Sequence, residues 1–346
     1  MSDASPEQSA ARSSAWILAL YTAAVFLSAL LLFSVQPMFT RMVLPQLGGS
    51  PSVWSVAMVF FQSMLLAGYA YAHWLAHAKR RLIPVLVHLA LLAAVGLTLP
   101  LSIAQGWGEP PARGTEFWLL GLFAVSIGLP FFVLAASNPL LQTWFVRSGH
   151  RDGKDPYFLY AASNVGSFLA LLSYPTLLEP VFTLREQDRM WSGGFVILAG
   201  LIAGCGYLLL RAPPDAELAH DAKPTHPKPN RLVLIRWGFL SAVPSGLLVA
   251  VTAYISTDIA AAPLMWVIPL SLYLLTWVLV FARRIMIPHS LVLLLQPIAI
   301  AVIVVLLLYS GYVSLIPNLS AHLVADRKST RLNSSHTVLS RMPSSA

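Results

Sequence analysis

Long apolar runs alternate with short polar connections along almost the whole chain. The first opens at Trp16 and lasts to Val35. Others occupy roughly residues 52 to 74, 82 to 104, 116 to 137, 157 to 178, 192 to 210, 237 to 257, 263 to 282 and 288 to 313. Each is close to the ~20 residues that a helix needs to cross about 30 Å of hydrocarbon. The pattern predicts an all-α membrane protein, a polytopic helical bundle of about nine transmembrane helices. The opening run is longer than a cleaved signal core and lacks a small-residue cleavage site, so it reads as a retained first helix. The stretch from Thr115 to Val146 exceeds one span, and Pro130 and Pro139 are expected to kink it or divide it into a span and an interfacial turn.

The connections carry the orientation signal. Arg12, Lys79, Arg80, Arg81, Arg147, Arg151, Lys154, Arg211, Lys223, Lys228, Arg231, Arg236, Arg283 and Arg284 fall in one alternating set. Arg41, Arg113, Arg185 and Arg189 fall in the other. Positive residues stay on the cytoplasmic side, so the N-terminus is expected inside a bacterial inner (cytoplasmic) membrane, with multiple passes. The longest connection holds Pro213, Pro214, Pro224, Pro227 and Pro229 and reads as a solvated linker. The expected organisation is a cytoplasmic tail (1–15), a six-helix membrane half (16–210), a Pro-rich basic linker (211–236) and the start of a second membrane half (237–325). Parallel six-helix repeats are how major-facilitator transporters are built. Pro51-Ser52-Val53-Trp54 and Pro263-Leu264-Met265-Trp266 form a small echo between the halves.

Composition narrows the classes. Apolar residues make up 57% and charged residues 10%, less than half the roughly 25% charge of a soluble domain. The single cysteine, Cys205, lies inside an apolar run, which excludes an internal disulfide and a cysteine metal site. The formal charge of +8 could suggest nucleic acid, but the basic residues sit in short blocks between apolar runs, so no nucleic-acid partner is expected. After Ala325 the apolar pattern stops. Residues Asp326 to His336 match one reading frame of a short-read sequencing adapter, and 326–346 is expected to be adapter-derived or a disordered tail.

Polar side chains inside spans are costly and usually face a bundle interior or a cavity. Gln36, Gln62, Asn138, Asn164, Glu179 and Asp258 are the candidate substrate-binding residues, with His88 and Gln142 as further polar positions in spans. Interhelical amide hydrogen bonding accounts equally for Asn138 and Asn164, and an interfacial position for Glu179 and Asp258. His73 and His77, four apart, share one helix face and could bind a metal, but no third ligand lies near them in sequence. Gly200 and Gly204 form a GxxxG pair suited to close helix packing. There is no GxGxxG after a strand, no GxSxG, no phosphate loop and no HExxH, so no cofactor, metal centre or catalytic residue is assigned.

Three stretches together resemble the membrane part of bacterial fused major-facilitator and spermidine-synthase-like proteins. The first runs from Gln36-Pro37 through Pro51-Ser52-Val53-Trp54 and Phe60-Phe61-Gln62 to Gly68-Tyr69-Ala70-Tyr71-Ala72-His73. The second is Asn138-Pro139-Leu140-Leu141-Gln142 with Asp155 to Ser167, Tyr174-Pro175 and Glu179-Pro180. The third is Thr257-Asp258-Ile259-Ala260 with Pro263, Trp266, Pro269-Leu270 and Tyr273. The resemblance implies a major-facilitator-like bundle that transports or binds polyamines or another small solute. Its alternative is a membrane anchor or regulator for an aminopropyltransferase-like domain whose motifs do not occur in this chain. The expected partners are the lipid bilayer and a small cationic solute. The usual glycine and aspartate spacing of the major-facilitator signature is absent beside Lys79 to Arg81.

Overall fold

The computed structural model describes residues 6–47, 51–111, 113–154, 156–213, 230–254, 270–275 and 294. Among them there is no strand, and the apolar runs become helices α1 (Pro6–Leu47), α2 (Pro51–Ala76), α3 (Leu82–Gly96), α4 (Thr115–Phe123), α5 (Leu129–Arg147), α6 (Tyr157–Ser173), α7 (Glu179–Val181), α8 (Leu184–Arg211) and α9 (Arg231–Tyr254). The chain divides into two units, Met1–Arg284 and Ile285–Ala346, and of the second only Leu294 is described. Among the described residues, five helical stretches are long and apolar enough to cross a membrane: Ser14–Pro45, Val56–Ala76, Thr115–Arg147, Leu184–Arg211 and Arg231–Ala250. The runs at 263–282 and 288–313 and the 326–346 tail lie largely or wholly outside the described residues, as do linker residues 214–229.

Several boundaries differ from the sequence expectation for local reasons. Helix α1 starts at Pro6, because Ala, Glu, Gln and Arg favour helix and proline is tolerated in a first turn. It also continues through Pro37 and Pro45 to Leu47. Helix α3 stops at Gly96 rather than near 104, since Pro100 cannot extend a helix and biases Leu99 away from helical geometry. The loop that follows is tied down by Leu101 N–H to Asp188 Oδ1 (2.9 Å) and Ala104 N–H to Ser126 Oγ (2.9 Å). The two prolines do not divide the run from Thr115. Instead a π-helical turn at Ala124–Gly128 joins α4 to α5 just before Pro130, and Pro139 lies within α5. A wider π turn accommodates the carbonyl that a proline leaves without its donor. A second π turn, Tyr174–Leu178, contains Pro175 and joins α6 to α7.

Helix α1 packs against α5, α6 and α8, and α2 against α4 and α5. Small residues permit the closest approaches. A Cβ at Gly166 would lie 2.5 Å from the Phe26 carbonyl oxygen, and one at Gly68 would lie 2.8 Å from Ala135 Cβ. On α8 the expected GxxxG contact is not symmetrical: Gly204 faces Leu20, whereas nothing lies within 4 Å of a Cβ at Gly200. Gly206, outside that pair, is the tighter position, 2.8 Å from Val85 Cγ1. Phe39, Phe60, Phe61, Phe123 and Phe131 fill the region beside the first π turn, with ring centroids 4.8 to 5.7 Å apart. Trp191 Nε1 donates to the Leu31 carbonyl (3.0 Å), fixing α8 to the middle of α1.

The helix ends gather into two polar layers. In one, Ser14 Oγ meets His150 Nε2 at 2.7 Å, Arg81 donates to the carbonyls of Ala212 (2.8 Å) and Pro213 (3.3 Å), and Arg147 donates to those of Ala76 and Ala78 (3.5 Å each). These guanidinium groups supply donors to the C-terminal carbonyls of neighbouring helices, which have none within their own helix. In the other layer, Arg41 pairs with Glu179, and Gln187 Nε2 donates to the carbonyls of Leu178 and Phe182. Between the layers the surface is apolar: Leu66, Val125, Val196 and Ile197 are exposed, and α9 is exposed along almost its whole described length. Water would penalise such a surface, so the helices are suited to contact with a lipid bilayer.

Candidate functional site

Helix α5 carries the most polar part of the bundle interior. Consecutive Ser137 and Asn138 point about 100° apart on the helix, so they reach different neighbours. Ser137 Oγ donates to Val133 O (2.8 Å) on its own helix and contacts His88 Nε2 of α3 at 3.1 Å. Because the serine proton goes to the carbonyl, the imidazole must donate through Nε2, which leaves Nδ1 as a bare acceptor. His88 is fully buried, and its Nδ1 has no protein partner. The Tyr71 and Trp144 rings flank it with centroids at 6.2 and 6.3 Å, and Tyr71 Oη and Trp144 Nε1 are also enclosed without protein partners. Each of these three atoms is a buried polar group that an ordered water or another small polar group would satisfy.

On the other side of α5, Asn138 Nδ2 donates to Ser163 Oγ of α6 at 2.9 Å, while its Oδ1 is enclosed and has no protein partner. Flipping the amide would exchange the two atoms and still leave one polar atom unmatched. Asn164, one residue beyond Ser163, is half-buried. The two asparagines are therefore not equivalent: the structure brings Asn138 to α6 through Ser163.

Toward one end of the bundle, the second π turn places Glu179 2.7 Å from Arg41 Nη1. The Tyr174 ring is buried beside this pair, within electrostatic reach of both charges. Glu179 thus has a cationic partner within the chain, which the sequence reading did not foresee. No family model, curated protein or solved structure matches this chain.

Gln36 is half-buried and turns back on its own helix, with Nε2 3.4 Å from Leu32 O. Gln62 is exposed on α2. Asp258 lies outside the described residues. Ser163, Ser137, Tyr71 and Arg41 are not among the candidate site residues that the sequence suggests. The first two are the partners that define which atoms of Asn138 and His88 remain unmatched. Among the described residues, no three His, Cys, Asp or Glu side chains gather as a metal-binding group.

Proposed function

We propose that the chain is the multi-pass membrane module of a major-facilitator-like transport protein that binds a small cationic solute, with polyamines as the favoured class. The observation that carries the proposal is Asn138 Oδ1, an enclosed acceptor with no donor, on α5. An ammonium leaving water needs such an acceptor, because desolvating it without a partner costs several kcal/mol. Half-buried Asn164, next in sequence to Ser163 on α6, is a second amide within the same span. The polyamine class comes from the family resemblance of the motif stretches, including the one that carries Asn138.

Two experiments test this reading. Calorimetric titration of the purified, detergent-stable chain with spermidine should show saturable binding. Asn138→Ala should weaken it about ten-fold or more, the effect of losing a charge-assisted hydrogen bond worth about 1.5 to 3 kcal/mol. Ser163→Ala, which removes the partner of Nδ2 and keeps Oδ1, should bind nearly as the parent does. If Asn138→Ala lowers only folded yield and affinity is unchanged, the asparagine is an interhelical tie and the solute site lies elsewhere.

Orientation is tested separately. Lys79 and Lys154 belong to connections on the strongly basic side, whereas Gln105, in the connection before α4, and Asp188, near the start of α8, mark the other. Reporter fusions at the first two should report cytoplasm and those at the second two the periplasm. A periplasmic signal at Lys154 would overturn this orientation.

A further inference from the structure

His73 and His77 lie at the C-terminal end of α2, outside the polar interior described above. His73 is in the last turn of the helix, which ends at Ala76, and His77 follows in the turn, where its N–H bonds to Trp74 O at 3.2 Å. Both side chains are exposed. Their ring centroids are 4.5 Å apart with planes at 65°, so the rings approach without stacking.

The hydrogen bonding fixes which nitrogen is available. His77 Nδ1 lies 2.7 Å from the His73 carbonyl oxygen. A carbonyl can only accept, so Nδ1 carries the proton and the lone pair of the neutral ring is on Nε2. A ring held by an Nδ1–H to carbonyl bond with Nε2 turned outward is the usual state of a metal-ligating histidine.

The spacing fits as well. With a metal–nitrogen bond of about 2.0 to 2.1 Å, an imidazole centroid lies about 3.2 Å from the metal. At the tetrahedral angle of Zn²⁺ two such rings have centroids about 5.2 Å apart, and at the 90° of adjacent Cu²⁺ positions about 4.5 Å. The rings already stand at the latter separation.

We propose that His73 and His77 form a two-ligand chelate for a borderline divalent transition metal, of the Zn²⁺ or Cu²⁺ type, with water completing the coordination. Imidazole nitrogen suits these ions, and Cu²⁺ binds tightest in the divalent series. Local charges act in both directions. The carbonyl end of α2 attracts a cation, whereas Lys79, Arg80 and the Arg147 guanidinium at Ala76 and Ala78 repel it. The exposed charges are screened over about 8 Å at physiological salt, whereas the chelate bonds are direct. The net result is a site that captures available ions reversibly, distinct in position and chemistry from the Asn138 region.

The rival explanation is that His77 only satisfies an orphan carbonyl at the end of α2. Mutation separates the two, because His73→Ala keeps the backbone carbonyl that His77 uses. The purified full chain in detergent is titrated with Zn²⁺ by calorimetry, and with Cu²⁺ while the nitrogen hyperfine pattern is read by electron paramagnetic resonance. The tightest equivalent should weaken at least ten-fold in both His73→Ala and His77→Ala, with loss of the two-nitrogen pattern. It should persist when His220 and His226, the two histidines of the 211–236 linker, are both replaced by alanine. Unchanged affinity and spectrum in His73→Ala would overturn the proposal, as would loss of binding only in the His220/His226 variant. Thermal melting of each variant without metal establishes that these exposed substitutions leave the bundle folded.

Discussion

Replacing Gly166 with valine is expected to lower the folded yield several-fold and to depress the thermal transition of the purified chain, whereas the same change at Gly200 has little effect. A Cβ at Gly166 would stand 2.5 Å from the carbonyl oxygen of Phe26, with Ala29 Cβ close behind. That oxygen belongs to the backbone of α1 and cannot rotate away, so α1 and α6 must separate. Overpacking of this kind costs about 1 to 3 kcal/mol, and more when the obstructing atom is fixed. The separation would also disturb α5 and α8, which pack on the same helix. Gly200 has nothing within 4 Å of its Cβ position, and a substitution at such a site usually changes stability by less than about 0.5 kcal/mol. The pair is a matched control, with the same residue change, the same membrane-compatible helices and different surroundings. Equal melting of the two variants would show that α1 and α6 do not meet at Gly166.

The second large effect is expected from reversing the charge at Glu179. In Glu179→Lys, two cations would occupy the position of the Arg41–Glu179 pair, now 2.7 Å apart. Two charges at 4 Å interact by about 4 kcal/mol at an effective dielectric of 20. Arg41 is 38% and Glu179 27% exposed, so solvent screening reduces this to roughly 1 to 2 kcal/mol. The connection between the end of α1 and the second π turn should loosen, read as a lower melting temperature that recovers partly at high salt. Arg41→Glu combined with Glu179→Lys should restore most of the loss. If the double variant melts no higher than the single ones, the pair contributes nothing to holding these segments together.

Helix identity could be read from the chain because it depends on local quantities. A run of about twenty apolar residues specifies a helix whatever it packs against, and Trp16 to Val35 and 192 to 210 lie inside α1 and α8. What the sequence could not give was pairing. It marked Asn138 and Asn164 as equals, but only the former bonds Ser163. It placed Glu179 at a helix end without its partner, because Arg41 is 138 residues earlier and proximity at that separation is a property of the packed bundle. The GxxxG spacing signalled close approach on α8 but could not indicate which glycines meet a neighbour. The π turns were invisible for a related reason: prolines at 130 and 175 announce a disturbed ladder, and whether it breaks, kinks or widens depends on what packs around it.

Cys205 gives the bundle a built-in clock. It is the chain's single cysteine, it is fully buried on α8, and Tyr21 Oη of α1 donates to its carbonyl at 3.0 Å. A thiol reagent added to the purified protein can reach the sulfur only when the packing of α8 against its neighbours α1, α3 and α5 opens. The rate of alkylation therefore times the opening of that packing, with no added label and no competing thiol in the background. Because α1 also packs against α5 and α6, the same measurement can follow how each substitution, bound solute or metal ion alters the breathing of the whole helical group.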